Sequence, residues 1–445
     1  MKRAFSHIFL LVVLFTILFT IPVYAQAPQS MIRVGILSNQ QNVSISVDSD
    51  FEVLDGDTGQ VVAHFSAKEN VNIAVKGKKL TINGQQIPGD TIKFLKLKNG
   101  RENDMKINQK KYRGNIAIHM THGKTGLTVI NTLSIEQYLY GVIAREMSPS
   151  WPMEAVKAQT VAARSYAMYN LNKHQDDGYD VCATTDCQVY GGRESEVPQI
   201  IKAVDDTAGQ VITYQGKIIP GYFHSSSGGY TENSENVWSG YQPYLRGVVD
   251  YDQKSPQYKW EQTITVPQLE KFLAGAGYQI GVLKAIELAP LTHSAVDTPE
   301  RGVSGRVKVI RFIGSTGSAK LTGEQLRKML DLKSTLFDVS VVVPIPPVAD
   351  FEITKNIGES DRKKLEINLP AQREQSFLTG KKELHAMTGR VGESILISGF
   401  GWGHGLGLSQ WGAKAMAEQG PQGNTTYFKE ILKHYYKGTT IKKVF

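Results

Sequence analysis

SIEQYLYGVIAREMSPSWPMEAVKAQTVAARSYAMYNL, residues 134–171, is where the chain changes from strand texture to helix texture. Ser134-Ile135-Glu136-Gln137 has the form of a capping box, and Tyr138, Leu139, Val142, Ile143 and Met147 follow at helical spacing. Pro149 stops that helix. A second helix begins after Ser150, with Pro152 in its first turn, and runs through an alanine-rich stretch over residues 154–171. Upstream, over residues 32–130, apolar residues alternate or cluster in short runs: Val43, Ile45, Val47; Val61, Val62, Phe65; Val71, Ile73, Val75. Turn pairs Asp55-Gly56, Thr58-Gly59, Asn83-Gly84 and Asn99-Gly100 punctuate them, which predicts an antiparallel β region. A block of strands followed by a block of helices predicts an α+β fold.

Downstream, residues 257–337 read as mixed α and β, with a helix expected over 323–332. Pro344, Pro346 and Pro347 open a stretch rich in lysine and glutamate that extends to about residue 392, the composition of an insertion or flexible excursion. Strand signals resume at Ile395-Leu396-Ile397. The glycine-dense segment 399–412 and two short helices, 413–418 and 425–436, close the chain. The expected organisation is therefore residues 1–25, a β-rich region over 31–108, and a mixed region over 109–445 with an insertion at about 346–393.

With 445 residues, 41% apolar and 21% charged, the chain is long enough for one large core or two to three ordinary ones, and too polar for a polytopic membrane protein. Its single long apolar run follows Lys2 and Arg3 and covers residues 8–23, which reads as an export signal cleaved after Ala25 or, at that length, a retained membrane anchor. Either places the remainder outside the cytoplasm and argues against ATP- or NAD-dependent chemistry. Loss of Lys2 and Arg3 lowers the net charge from +8 to +6. A positive exported protein is drawn to wall carboxylates and phosphates rather than to nucleic acid. The only cysteines, Cys182 and Cys187, are five apart, a spacing that suits a small disulfide loop in an oxidising compartment; free thiols and a zinc site using His174 or Asp186 are the rivals.

Ile135, Leu139, Val142 and Glu146 recur at spacings of three and four, so a carboxylate interrupts an apolar helix face. Burial there raises a carboxyl pKa toward the range of a general acid; the plainer reading is a helix end reaching water. Arg164, on the second helix, either orients that acid or forms a structural ion pair. The loop Phe223-His224-Ser225-Ser226-Ser227-Gly228-Gly229 offers hydroxyls, an imidazole and glycine amides, but lacks a nucleophile elbow. Gly399-Phe400-Gly401-Trp402-Gly403-His404-Gly405-Leu406-Gly407 alternates glycine with larger residues and lacks the ending of a phosphate loop. Tyr190, Tyr222, Tyr230, Trp238, Trp402 and Trp411 are flat faces suited to sugar rings, or to the core.

These stretches, with Gly141-Val142-Ile143-Ala144-Arg145-Glu146-Met147, Ser304-Gly305-Arg306, Lys333-Ser334-Thr335 and Ser409-Gln410-Trp411-Gly412-Ala413, resemble the sporulation stage II protein D and LytB amidase-enhancer family in order and spacing over residues 110–445. The resemblance implies helices bearing Glu146 beside a sheet-lined groove, and a lytic transglycosylase that cleaves between N-acetylmuramic acid and N-acetylglucosamine, preferring glycan strands stripped of stem peptides. It implies that Glu146 is the catalytic acid/base, that Arg164 positions substrate or Glu146, and that His224, Ser226, Ser227, His404 and Gln410 line the glycan groove. The implied partners are peptidoglycan glycan strands and an N-acetylmuramoyl-L-alanine amidase; no cofactor, metal or nucleic acid is expected. A non-catalytic amidase enhancer that binds the wall is the alternative. The region before residue 110 is not covered by the resemblance.

Overall fold

Strand Asn42–Val47 buries Val43, Ile45 and Val47 at no more than 1% exposure and leaves Ser44 and Ser46 half-buried, the period of two expected of a strand with one face in a core. The computed structural model describes residues 30–97, 104–121, 123, 125–238, 240–292, 295–344 and 382–445, and the backbone of strands Val348–Asn356, Glu359–Glu366, Gln372–Arg373 and Phe377–Thr379. The expected export segment, residues 1–25, and the turn Asn99-Gly100 lie outside the described residues. Among those described, no helix is long and apolar enough to cross a membrane.

The β region forms two sheets. One has the order Val181–Cys182, Met31–Gln40, Leu127–Ser134, Asn115–Met120, Thr91–Lys96, Phe51–Asp55, Val61–Phe65; the other runs Lys110–Tyr112, Met105–Ile107, Asn42–Val47, Val71–Lys76, Lys79–Ile82, Gln85–Gln86. Asn83 and Gly84, at φ 48° and 84°, form the two-residue turn that twists Lys79–Ile82 back onto Gln85–Gln86. The pairing is antiparallel except at one edge, where Val34 and Gly35 lie parallel to Val181 and Cys182. Arg33 locks that edge, its Nη2 2.7 Å from Asp180.

Leu127–Ser134 runs directly into helix α1 (Ile135–Glu146), where Ser134 Oγ accepts the Gln137 N–H. Helix α2 (Met153–Tyr169) folds back on α1 across residues 147–152, and α3 (Pro198–Asp206) packs on both. One apolar core runs from Ile32 through Ile45, Ile118, Leu139 and Val161 to Tyr436, across the expected division at residue 108. The chain then leaves to build a second core from Trp260 to Ile397, around strands Lys259–Thr265, Ser394–Phe400, Phe337–Val343, Leu283–Leu288 and Ile310–Gly314, with helices α4 (Val266–Gly275) and α5 (Gly323–Leu330). It returns to the first through α6 (Gln410–Gln419) and α7 (Phe428–Tyr435).

The stretch read as an insertion or flexible excursion is paired where it is described. Val348–Asn356 and Glu359–Glu366 form an antiparallel hairpin, and Lys382–Ala386 adds to Leu283–Leu288. Sheet hydrogen bonds satisfy a lysine- and glutamate-rich backbone whose composition alone reads as coil.

Candidate active site

Glu146 is the last residue of α1, and its stripe-mates Ile135, Leu139 and Val142 are fully buried. Its carboxyl is raised above the ordinary range, first by burial; the Val189 backbone N–H and the Gln410 side chain favour the ionised form and only partly offset this. The helix C-terminus adds unpaired carbonyl dipoles that also disfavour a negative charge. Glu146 lines a groove of about 670 Å³ together with Arg145, Tyr166, Cys187, Tyr222, Trp238 and His404.

One wall of the groove is aromatic. Tyr222 and Trp238 meet edge to face with centroids 4.6 Å apart, Trp238 and His404 are 4.8 Å apart, and Tyr166 stands 6.2 Å from Tyr222. Trp238 keeps 46% of its surface exposed, so a flat apolar face is open to a sugar ring. Tyr190 is core: it is 7% exposed, with its hydroxyl donating to Asn131.

His404 Nδ1 accepts the Leu406 N–H at 3.0 Å. Burial, and then the Arg306 and Arg327 charges, push its pKa down to about 3, so the ring is neutral at physiological pH. Gly403 and Gly405 make this placement possible. Both have positive φ, and a Cβ on Gly403 would come within 2.7 Å of the His224 side chain. Gln410, at the first turn of α6 beside Ser409, reaches Glu146.

The structure separates the other expected groove residues from Glu146. Arg164 is fully buried, with Nε and Nη2 donating to the Glu136 carboxylate at 2.9 and 2.6 Å and its remaining donors on Thr207 and the Val204 and Gln210 carbonyls. A connection at residues 147–152 sets Glu146 opposite the start of α2 and Arg164 opposite the start of α1; Arg164 is the structural ion pair. Ser226 and Ser227 are equally buried. Ser226 donates to Asp252 and Ser227 to Asp250, tying their loop to two carboxylates rather than presenting hydroxyls to a glycan. His224 lies behind His404, its Nδ1 donating to the Leu406 carbonyl and its buried Nε2 without a partner.

The two thiols are free, which overturns the expected disulfide. Cys187 Sγ instead accepts the Cys182 N–H at 3.2 Å and lies 3.4 Å from His174 Nε2. Donor atoms of His174, Cys182, Asp186 and Cys187 all fall within 4.8 Å of one another, an imidazole, two sulfurs and a carboxylate of the kind that holds zinc. Burial pushes the Cys187 thiol up to about 12, so it stays protonated unless a cation displaces its proton. Sequence spacing carried the cysteines and His174, but nothing in it placed Cys187 and Asp186 in the lining of the Glu146 groove. The Val189 N–H, a backbone group, left no sequence signal.

The family model described as stage II sporulation protein matches residues 123–214, which hold Glu146 and both cysteines. The chain is 30% identical over 394 residues to the amidase enhancer of Bacillus subtilis, covering 83% of this chain and 49% of that one, so it spans about half the length of that relative. It is 29% identical over 336 residues to stage II sporulation protein D of the same organism, covering 72% and 78%. An uncharacterised protein of Brachyspira hyodysenteriae matches at 28% over 420 residues, 94% of this chain and 95% of the other. With the helix pair and Glu146 inside the span that the family model matches, the chain belongs to the stage II sporulation protein D and amidase-enhancer family.

Proposed function

We propose that the protein is an extracytoplasmic peptidoglycan lytic transglycosylase acting on glycan strands from which an amidase has removed the stem peptides. The observation that carries this reading is a carboxyl, Glu146, held toward its protonated form by burial inside an aromatic-walled groove whose other carboxyl, Asp186, is kept ionised by Lys173. Glu146 donates its proton to the glycosidic oxygen as the bond to the muramic C1 breaks. The muramic C6 hydroxyl then attacks C1 and returns its proton to the Glu146 carboxylate, leaving a 1,6-anhydro end. One group serves as acid and then base, and no water is consumed, so the two-carboxylate geometry of glycoside hydrolases is not needed. Neutral His404 and the Trp238 face hold the sugar.

The test is mass spectrometry of products from amidase-treated peptidoglycan incubated with the protein lacking residues 1–25 and with its Glu146→Gln variant. Anhydro-muramic ends are expected from the parent and not from the variant. The second reading, a non-catalytic amidase enhancer, is favoured by the name of the 30%-identical relative. It predicts no cleavage by either protein, and stimulation of an amidase that survives Glu146→Gln.

A further inference from the structure

Arg145 precedes the candidate acid, in the last turn of α1, and lines the same groove. Its side chain is exposed, and its stem passes Gly191, where an added Cβ would sit 3.3 Å from Arg145 Cδ. Three other groups of the groove bear on its charge. Lys173 is committed to Asp186 at 2.9 Å, His404 is neutral, and Glu146 is held toward its uncharged form. Among the described residues lining the groove, Arg145 is thus the cation without a carboxylate partner, and it directly precedes the candidate acid Glu146.

A guanidinium so placed calls for an anion on the substrate within one sugar ring of the cleaved linkage. The glycan backbone has one group that qualifies, the lactyl substituent on C3 of each muramic ring. While a stem peptide is attached, that lactyl carboxyl is a neutral amide. Hydrolysis of the amide turns it into a carboxylate, the planar partner that a guanidinium binds through paired hydrogen bonds.

We infer that Arg145 is a specificity-determining residue that reads the free lactyl carboxylate, so that the groove selects strands an amidase has already stripped. The inference rests on the glycan-cleaving reading above, which already takes stripped strands as substrate, and adds to it the residue and the charge by which they are recognised. It also separates charge from bulk, because a strand with its stem removed but its lactyl carboxyl neutralised should bind poorly.

The experiment uses the full chain carrying Glu146→Gln, which mimics the protonated acid without turnover. Isothermal titration compares amidase-stripped strands with the same strands after coupling their lactyl carboxyls to methylamine. The free-acid strands are expected to bind about tenfold more tightly, a preference that falls as salt is raised. Adding Arg145→Ala should bring the two strands to within about twofold, while Arg145→Lys should retain part of the preference. An unchanged preference in the Arg145→Ala protein overturns the inference, as does equal or undetectable binding by the parent. Cleavage is assayed separately with Glu146 intact. Charge preference without cleavage would overturn the transglycosylase reading and leave Arg145 as a carboxylate reader.

Discussion

At the scale of single residues, the chemistry turns on how Glu146 is held. Burial raises its pKa, while Gln410 and the Val189 N–H pull it down. As a proton donor it is competent below that raised pKa, so kcat/KM on stripped glycan should fall as pH rises through it. Gln410→Ala removes a contact that favours the ionised form. The pKa then rises further and the descending limb moves to higher pH; a limb that stays in place would show that Gln410 does not position the carboxyl. Arg164 belongs to stability. Arg164→Ala leaves the buried Glu136 carboxylate at the start of α1 without its counter-charge, holding only the Gly209 N–H, and should cost about 3–5 kcal/mol in urea denaturation. A variant of parental stability that has lost glycan binding would return Arg164 to the substrate.

At the scale of elements, the glycine-rich segment before α6 is built around a buried cation. Gly405 has φ 83°, and a Cβ there would lie 2.4 Å from the Arg306 guanidinium carbon. Arg306 cannot swing away, because it is buried and donates to the Tyr230 and Ser227 carbonyls and to Ser304 Oγ. Gly405→Ala therefore combines backbone strain with a clash and should destabilise by about 2–4 kcal/mol. Thermal unfolding at the parental temperature would remove the argument. The same segment sets His404 against Trp238 and leads into Gln410, so the loss of stability should come with loss of glycan binding at temperatures where the variant remains folded.

At the scale of the whole molecule, the β region does not stand apart from the helices. Met31–Gln40 is hydrogen-bonded on one side to Leu127–Ser134, the strand that feeds α1, and on the other to the cysteine-bearing Val181–Cys182. A fragment of residues 109–445 would expose the edge of Leu127–Ser134 and strip the core of Ile32, Val34, Ile45 and their neighbours. It is expected to lose near-ultraviolet circular dichroism and cooperative unfolding; a fragment that unfolds in one sharp transition would show that the helical part carries its own core.

Much of this architecture is legible in the amino-acid sequence by itself. Period-two alternation marks strands Asn42–Val47 and Phe51–Asp55 and the start of Val71–Lys76, and the Ser134 cap marks α1 to within a residue, because both signals are local. The stripe of Ile135, Leu139 and Val142 places Glu146 on a buried face, and helix geometry delivers it there. Tertiary structure decides what each polar residue faces. It pairs Arg164 with Glu136, Ser226 and Ser227 with Asp252 and Asp250, and Gln410 with Glu146, and it keeps Cys182 and Cys187 as free thiols beside His174. Periodicity reports which side of an element is buried. The partner across the gap is set by how helices, strands and loops tens to hundreds of residues apart are brought together, and that information is absent from any short stretch of the chain.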